Sequence, residues 1–238
     1  MSFYESLFPV YDRIFPLNKG AESFLLELFN EEDSLLDIGA GTGSMAIALA
    51  AKGLEVTAVE PEPSMADAIV SKAGAKGIPV TVQAITMEQI THLEKKFDGI
   101  YCIGNTLPHL QNAVEIEGFL KACFEKLSAH GKLVLQTVNF DKFAESAEFI
   151  FPVIEKEEFL FKRKYDKDGD KILFTASLTS NDETKANSIP LFPIASSALM
   201  SMLERIGFKT IELYGNFKKD HHSAQSPAIV VLAHKTEI

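Results

Sequence analysis

The stretch Leu35-Leu36-Asp37-Ile38-Gly39-Ala40-Gly41-Thr42-Gly43-Ser44 decides the reading of the fold. Ser34 to Ile38 is a short apolar run that stops at Gly39, as a strand covered on both faces does. Three glycines at alternate positions let the backbone turn sharply and approach a ligand closely. Ser44 to Lys52 is rich in Ala, Ile, Leu and Met, and Gly53 then stops it as a helix. Such a helix aims free N–H groups and its positive dipole end back at the glycine turn. The next strand, Leu54 to Val59, leads into Glu60, 21 residues after Gly39. A carboxylate there can accept both hydroxyls of a ribose. Any tight β–α connection could use the glycines alone. The order strand, glycines, helix, strand, acid points to a nucleoside-bearing ligand. The third position of the dinucleotide fingerprint falls on Ser44, so the pattern is G-x-G-x-G, and the phosphate-loop pattern with its Gly-Lys-Ser/Thr does not occur.

Outward from this turn the first half alternates strand and helix. Ser6 to about Asn30 reads as helix interrupted near Pro16, and Pro63 to Lys72 as helix. Pro79 to Ala84 is a third strand, Phe97 to Ile103 a fourth, Val114 to Leu127 a helix and Lys132 to Val138 a fifth strand. This alternation predicts a doubly wound, mostly parallel sheet with right-handed crossovers. The second half changes character. Glu158 to Arg163 and Lys171 to Ala176 flank the turn cluster Asp166-Lys167-Asp168-Gly169-Asp170, which predicts a hairpin with a third strand nearby. Asn181 to Asn187 is polar and reads as a loop. The α/β pattern resumes with a helix from Ser196 to Ile206 and strands Lys209 to Tyr214 and Ala228 to Ala233. The last two form an antiparallel pair at a sheet edge. The expected organisation is a core of residues 1–140 and 193–238 carrying an antiparallel β-lid at 141–192.

The chain has 238 residues, enough for one large domain with an insertion, and 46% are hydrophobic and 24% charged, which excludes disorder as its main state. Lys and Arg total 23 against 33 Asp and Glu, a net charge of −10 that disfavours DNA or RNA as ligand. Two cysteines, Cys102 and Cys123, can build neither a disulfide framework nor a four-ligand zinc site. They read as buried free thiols in a reducing cytoplasm. The N-terminus lacks the order of a signal peptide, and no apolar run approaches the roughly 20 residues that cross a bilayer. No metal site and no membrane partner are expected; a monomer and a homodimer are both open.

The segment Leu35 to Gly43 resembles the first motif of the class I S-adenosylmethionine-dependent methyltransferases. Phe97 to Leu110 is similar to their fourth motif, and its Gly-Asn-Thr-Leu-Pro-His-Leu ending is similar to that of glycine and sarcosine N-methyltransferases. His130 to Leu135 and Leu203 to Phe208 are similar to the turns around their later strands. The resemblance spans roughly residues 6–140 and 193–235. It implies a Rossmann-like seven-stranded fold and the cofactor S-adenosyl-L-methionine. It implies that Asp37, Gly39, Ala40, Gly41 and Gly43 form the turn that holds the methionine moiety. It further implies that Glu60 holds the ribose beside Pro61, that Met65 lies against adenine, and that the Ile103 carbonyl receives the cofactor amine beside Gly104. Relatives usually carry an Asp for the adenine amine after the third strand. Ala84 or Ile85 stands there, so adenine falls to backbone around Thr86 and Met87, or to Gln83 or Glu88.

The acceptor side offers three candidates. His109 follows the fourth strand and is either a substrate contact or a loop histidine. Asn105 can touch cofactor or acceptor. Tyr11 resembles the motif that closes over the methionine end, or else anchors a packed helix. Lys162, Arg163 and Lys164 read as solvated on an alternating strand, with a grip on an anionic substrate as the other reading. The function so read is methyl transfer to a small-molecule acceptor by in-line displacement. An NAD(P)-dependent oxidoreductase and a non-catalytic cofactor-binding module are the alternatives.

Overall fold

The computed structural model describes residues 7–144 and 148–236. The expected helix start at Ser6 and residues 145–147 of the expected insert lie outside the described residues. The helices are α1 (Tyr11–Ile14), α2 (Lys19–Leu28), α3 (Ser44–Ala50), α4 (Pro63–Lys76), α5 (Ala113–Lys126) and α6 (Ser196–Ile206). Strands β1 (Ser34–Ile38), β2 (Glu55–Val59), β3 (Thr81–Gln83), β4 (Phe97–Cys102) and β5 (Leu127–Val138) pair in parallel. The insert contributes β6 (Glu148–Ile150), β7 (Ile154–Lys156), β8 (Phe159–Asp168), β9 (Lys171–Ser180) and β10 (Glu183–Leu191), and the chain closes with β11 (Lys209–Tyr214) and β12 (Ala228–His234).

The main sheet has the order β11-β12-β5-β4-β1-β2-β3. The chain runs outward from β1 through β2 and β3, then returns to lay β4 on the other side of β1. That reversal opens a crevice at the carboxyl ends of β1 and β4, where open α/β sheets bind ligands. β11 and β12 form the antiparallel pair, with β12 reaching inside β11 to pair antiparallel with β5. All five residues of β1 are buried because helices cover both faces. Leu36 and Ile38 pack with Phe119 and Leu120 of α5 and Leu203 of α6. Leu35 packs on the opposite face with Phe24 of α2, Leu49 of α3 and Ile69 of α4. Gly207 ends α6 in the left-handed region at φ 115°, the conformation glycine adopts at little cost. Cys102 and Cys123 are buried free thiols in the first of these cores.

The second sheet has the order β10-β9-β8-β6, with β7 also on β8. Its inner face buries Phe159, Phe161 and Tyr165 of β8 and Ile172, Phe174, Ala176 and Leu178 of β9 against Leu7, Val10, Ile14 and Phe140. This single-faced burial produces the period-2 pattern seen in the sequence. One expectation is corrected. Asn181 to Asn187 is not a loop: Asn181 and Asp182 alone make the turn, at φ 51° and 62°, and Glu183 to Leu191 is strand. Two consecutive left-handed residues suit a tight hairpin, and Asn and Asp tolerate that conformation. β10 lacks an apolar pattern because it is mostly exposed at the sheet edge.

Both ends of the insert are pinned. Ser196 donates from its backbone N–H (3.0 Å) and hydroxyl (2.6 Å) to the Asp141 carboxylate, and His222 Nε2 lies 3.1 Å from Asp141 Oδ2. Burial alone would raise the Asp141 pKa, but the Ser196 and His222 contacts outweigh it and leave the carboxyl below its ordinary value. Asn139 Nδ2 donates to the carbonyls of Ser223 and Ser226, both at 3.0 Å. Among the described residues no helix is long and apolar enough to cross a membrane.

Candidate active site

A cleft of about 460 Å³ opens at the carboxyl ends of β1, β2 and β4. Gly39, Gly41, Glu60, Pro61, Met65, Thr86, Met87, Ile103, Gly104, Tyr11 and His109 line it. Asp37, Ala40, Gly43 and Asn105 stand outside its wall. Asp37 is buried beneath the turn, Gly43 caps α3, and Asn105 reaches toward the lid. Val59, Glu62, Glu88, Thr106, Leu110 and Ile189 complete the lining. Glu88 was one of the alternatives for adenine, and Gln83 does not reach the cleft. Ile189 comes from β10, the strand the sequence pattern concealed.

The glycine turn is held from inside. Gly39 N and Ala40 N donate to the Val59 carbonyl at 2.9 and 3.0 Å. Gly39 has φ 70°, and a Cβ there would stand 2.4 Å from Thr106 Cγ2. Gly41 has φ 58°, and a Cβ there would stand 3.0 Å from the Tyr11 hydroxyl. These glycines are therefore required by backbone conformation and by protein neighbours as well as by any ligand.

Glu60 is 6% exposed, and its two oxygens accept from Gly41 N (2.8 Å) and Glu62 N (3.0 Å). Each oxygen keeps a further lone pair for a ligand hydroxyl. Burial raises its pKa against the pull of those two N–H groups. Asp37 is pushed by burial up to about 7, with the Tyr101 hydroxyl pulling it down and Glu60 adding to the rise. Its Oδ2 is enclosed with no hydrogen-bond partner among the described residues. An orphaned buried carboxylate oxygen under a glycine turn is a place for an ammonium group.

Tyr11 covers the turn from the N-terminal segment. Its phenol is held un-ionised by burial and by the nearby carboxylates Glu60, Asp12 and Asp37. Asp12, next to it, accepts from the hydroxyls of Thr42 and Ser44 and from Lys72 Nζ at 2.8 Å. That latch fastens the segment to the turn. Sequence reading missed it because Asp12 and Lys72 are 60 residues apart.

His109 sits in a short 3₁₀ turn (Leu107–His109), and burial lowers its pKa to about 4. The imidazole facing the cleft is neutral at physiological pH. Gly104 and Asn105 both have left-handed φ, 77° and 67°. Asn105 Oδ1 accepts from Val138 N at 2.9 Å, and its Nδ2 donates to the Tyr165 hydroxyl at 3.1 Å. This single side chain joins the end of β4 to β5 and to β8 of the second sheet. Among the described residues no group of three His, Cys, Asp or Glu side chains is placed to hold a metal. Arg163 departs from its expected solvated position: it shares the inner face of β8 with Phe161 and Tyr165, while Lys162 and Lys164 face outward.

Residues 35–131 match the family model described as a methyltransferase domain. The chain is 24% identical over 211 residues to glycine/sarcosine N-methyltransferase of Aphanothece halophytica, covering 84% of this chain and 76% of that protein. An S-adenosylmethionine-dependent methyltransferase structure from Clostridium acetobutylicum superposes with a TM-score of 0.85 at 15% identity, covering 99% of this chain and all of that one. The CcbJ methyltransferase from Streptomyces caelestis superposes with a TM-score of 0.84 at 21% identity, over 97% and 96% of the two chains. Sheet order, glycine turn and acid after β2 agree with the matched stretch: residues 35–131 match a methyltransferase domain, and the chain has the fold of the S-adenosylmethionine-dependent methyltransferase structures it superposes on.

Proposed function

We propose that the cleft holds S-adenosyl-L-methionine and that the acceptor is a small molecule entering under the second sheet. In this reading residues 1–140 and 193–238 form the cofactor core and 141–192 the lid. The observation that carries it is one cleft bounded by the glycine turn, the Glu60 carboxylate and the Tyr11 ring, with a lid residue on its rim. The residues suit the cofactor in chemistry. Glu60 offers carboxylate oxygens to ribose hydroxyls, and Met65 and Pro61 offer an apolar wall to adenine. The turn around Thr86 and Met87 borders the same wall. Asp37 supplies negative charge below the turn for the amine, and the Ile103 carbonyl, which accepts from Thr106 Oγ1 at 3.0 Å, keeps a second lone pair.

When bound, the cofactor supplies a methyl group already activated on a sulfonium. The protein's task is then alignment and exclusion of water, which lowers the barrier by several kcal/mol. Tyr11 and the Asp12 latch close one side of the cleft. Asn105 fixes the lid through Tyr165 on the other. Neutral His109 can accept a hydrogen bond or a proton from an acceptor group. The net charge of −10 disfavours a nucleic-acid acceptor, and the buried free thiols suit a reducing cytoplasm.

Thermal-shift and calorimetric titration with S-adenosylmethionine, S-adenosylhomocysteine and NAD(P) test the site. Stabilisation by the first two alone is expected; stabilisation by NAD(P) alone would overturn the reading in favour of an oxidoreductase. Methyl-labelled cofactor incubated with a small-molecule extract should deliver label to a low-mass product. Tight cofactor binding with persistent lack of transfer would favour a binding module.

A further inference from the structure

The wall of the cleft divides by chemistry. The part around β1, β2 and β3 carries the glycine turn and the carboxylates Glu60, Glu62 and Glu88. The part that follows β4 is formed by Ile103, Gly104, Thr106, His109 and Leu110, and β10 adds Ile189. Among the described residues, no Lys, Arg, Asp or Glu lines this second part. Two of its polar groups are engaged within the protein. Thr106 Oγ1 donates to the Ile103 carbonyl at 3.0 Å, and Gly104 N donates to Gln136 Oε1 at 2.8 Å. A third, His109, is neutral, because burial disfavours its charged form. A charged group entering here would lose its water without gaining a counter-ion, which is costly. A hydrocarbon group would gain from the same burial.

Ile189 is the residue that the second sheet contributes to this wall. It pairs with Phe174 of β9 and packs, partly buried, on that sheet's apolar core. That packing alone could account for an isoleucine, but its place on the cleft wall gives the side chain a second neighbour. Three residues on, Phe192 N donates at 2.8 Å to the carbonyl of Pro108, which shares a 3₁₀ turn with His109. This backbone bond ties the end of β10 to that turn. The separation of Ile189 from His109 and Leu110 is therefore held by backbone, and Ile189 is placed to act as a fixed wall.

Resting on the methyltransferase reading above, we infer that the methyl acceptor carries an uncharged hydrocarbon group beside its nucleophilic atom, packed against Leu110 and Ile189, and that Ile189 sets how large this group can be. The substrate class is then small nucleophiles with an apolar flank, and acceptors with a charged flank are excluded.

The test uses the full chain saturated with S-adenosylhomocysteine and titrated with 1-alkanols from ethanol to octanol. Each alkanol is compared with the hydroxycarboxylate of equal length that bears its carboxylate at the far end. Affinity should rise by about fourfold per methylene up to a limiting length. Each hydroxycarboxylate should bind at least tenfold more weakly than its alkanol. Ile189→Ala should move the limit to longer chains, and Ile189→Phe to shorter ones. Ile189→Val, the mildest change, should shift it by no more than one carbon. In all three the S-adenosylhomocysteine dissociation constant should stay within twofold, which also reports that each variant is folded. No binding by any alkanol, no dependence on chain length, equal binding of alkanol and hydroxycarboxylate, or one limit shared by wild type and every folded variant would overturn the inference. Failure of S-adenosylhomocysteine to bind the wild-type chain would strike the cofactor reading instead, and the alkanol series is then run on the chain alone.

Discussion

The two sheets of this molecule are built by different rules. β1 is buried at every position, while β10 is exposed along most of its length. The central sheet gains its stability from two apolar faces, and its ligand-facing groups are confined to strand ends. The second sheet has one apolar face, packed on Leu7, Val10, Ile14 and Phe140, and among the described residues Ile189 alone brings it to the cleft. Polar groups in the core site are consequently costly and fixed, like Asp37. Polar groups in the second sheet, like the buried Tyr165, serve to tie it to the core through Asn105.

Substitutions can break this contrast. Gly39→Val combines a left-handed φ with a Cβ 2.4 Å from Thr106, and should cost about 3–5 kcal/mol. Denaturant unfolding should show the loss, and a near-wild-type midpoint would mean the turn can relax.

Asp37→Asn should separate stability from function. The folded pKa of Asp37, about 7, lies above its ordinary 3.8. Its protonated form thus stabilises the fold below pH 3.8, and that contribution is lost as pH rises through 7. The variant should exceed wild type in stability by a margin that grows from pH 4 to 7, reaching roughly 2–4 kcal/mol. His109 runs the other way. Its folded pKa of about 4 lies below 6.5, so it favours the fold above pH 6.5 and ceases to as pH falls toward 4. Calorimetric scans of variant and wild type at each pH cancel the His109 contribution. A margin that shrinks with pH would refute the assignment to Asp37.

Glu60→Gln should weaken S-adenosylhomocysteine binding by about 1–3 kcal/mol, and should also lower the melting temperature of the free protein, since its NH2 cannot accept from Gly41 N or Glu62 N. An unchanged dissociation constant would remove Glu60 from the ribose. The smallest effect belongs to the lid. Tyr165→Phe deletes the hydroxyl that receives Asn105 and should cost about 1 kcal/mol. Cofactor affinity should be unaffected, and turnover reduced several-fold. Equal losses in both would mean that lid and core act as one unit.

Much of the core was legible because its physics is local. β1 and α6 occupy the residues their apolar pattern and glycine stops assign, Ser34–Ile38 and Ser196–Ile206. The lid hairpin was legible from the Asp-Gly turn and period-2 alternation. β10 was not, because an exposed edge strand buries too little to imprint a pattern. The Asp12–Lys72 latch was not, since a surface ion pair leaves no spacing signal. Alternation put Arg163 opposite Lys162 and Lys164, but it was read as solvated, and the packing turned its face inward.

The sequence alone determined the alternating α/β order, the glycine turn and the acid after β2, because chain periodicity and backbone geometry dictate them within a few residues. Tertiary structure decided which groups meet at the cleft. It set Tyr11 against Gly41, Asn105 against Tyr165, and Arg163 against the Phe15 and Phe151 rings. Those contacts join segments tens of residues apart. They arise from how two sheets and an N-terminal segment pack, and no local pattern encodes that.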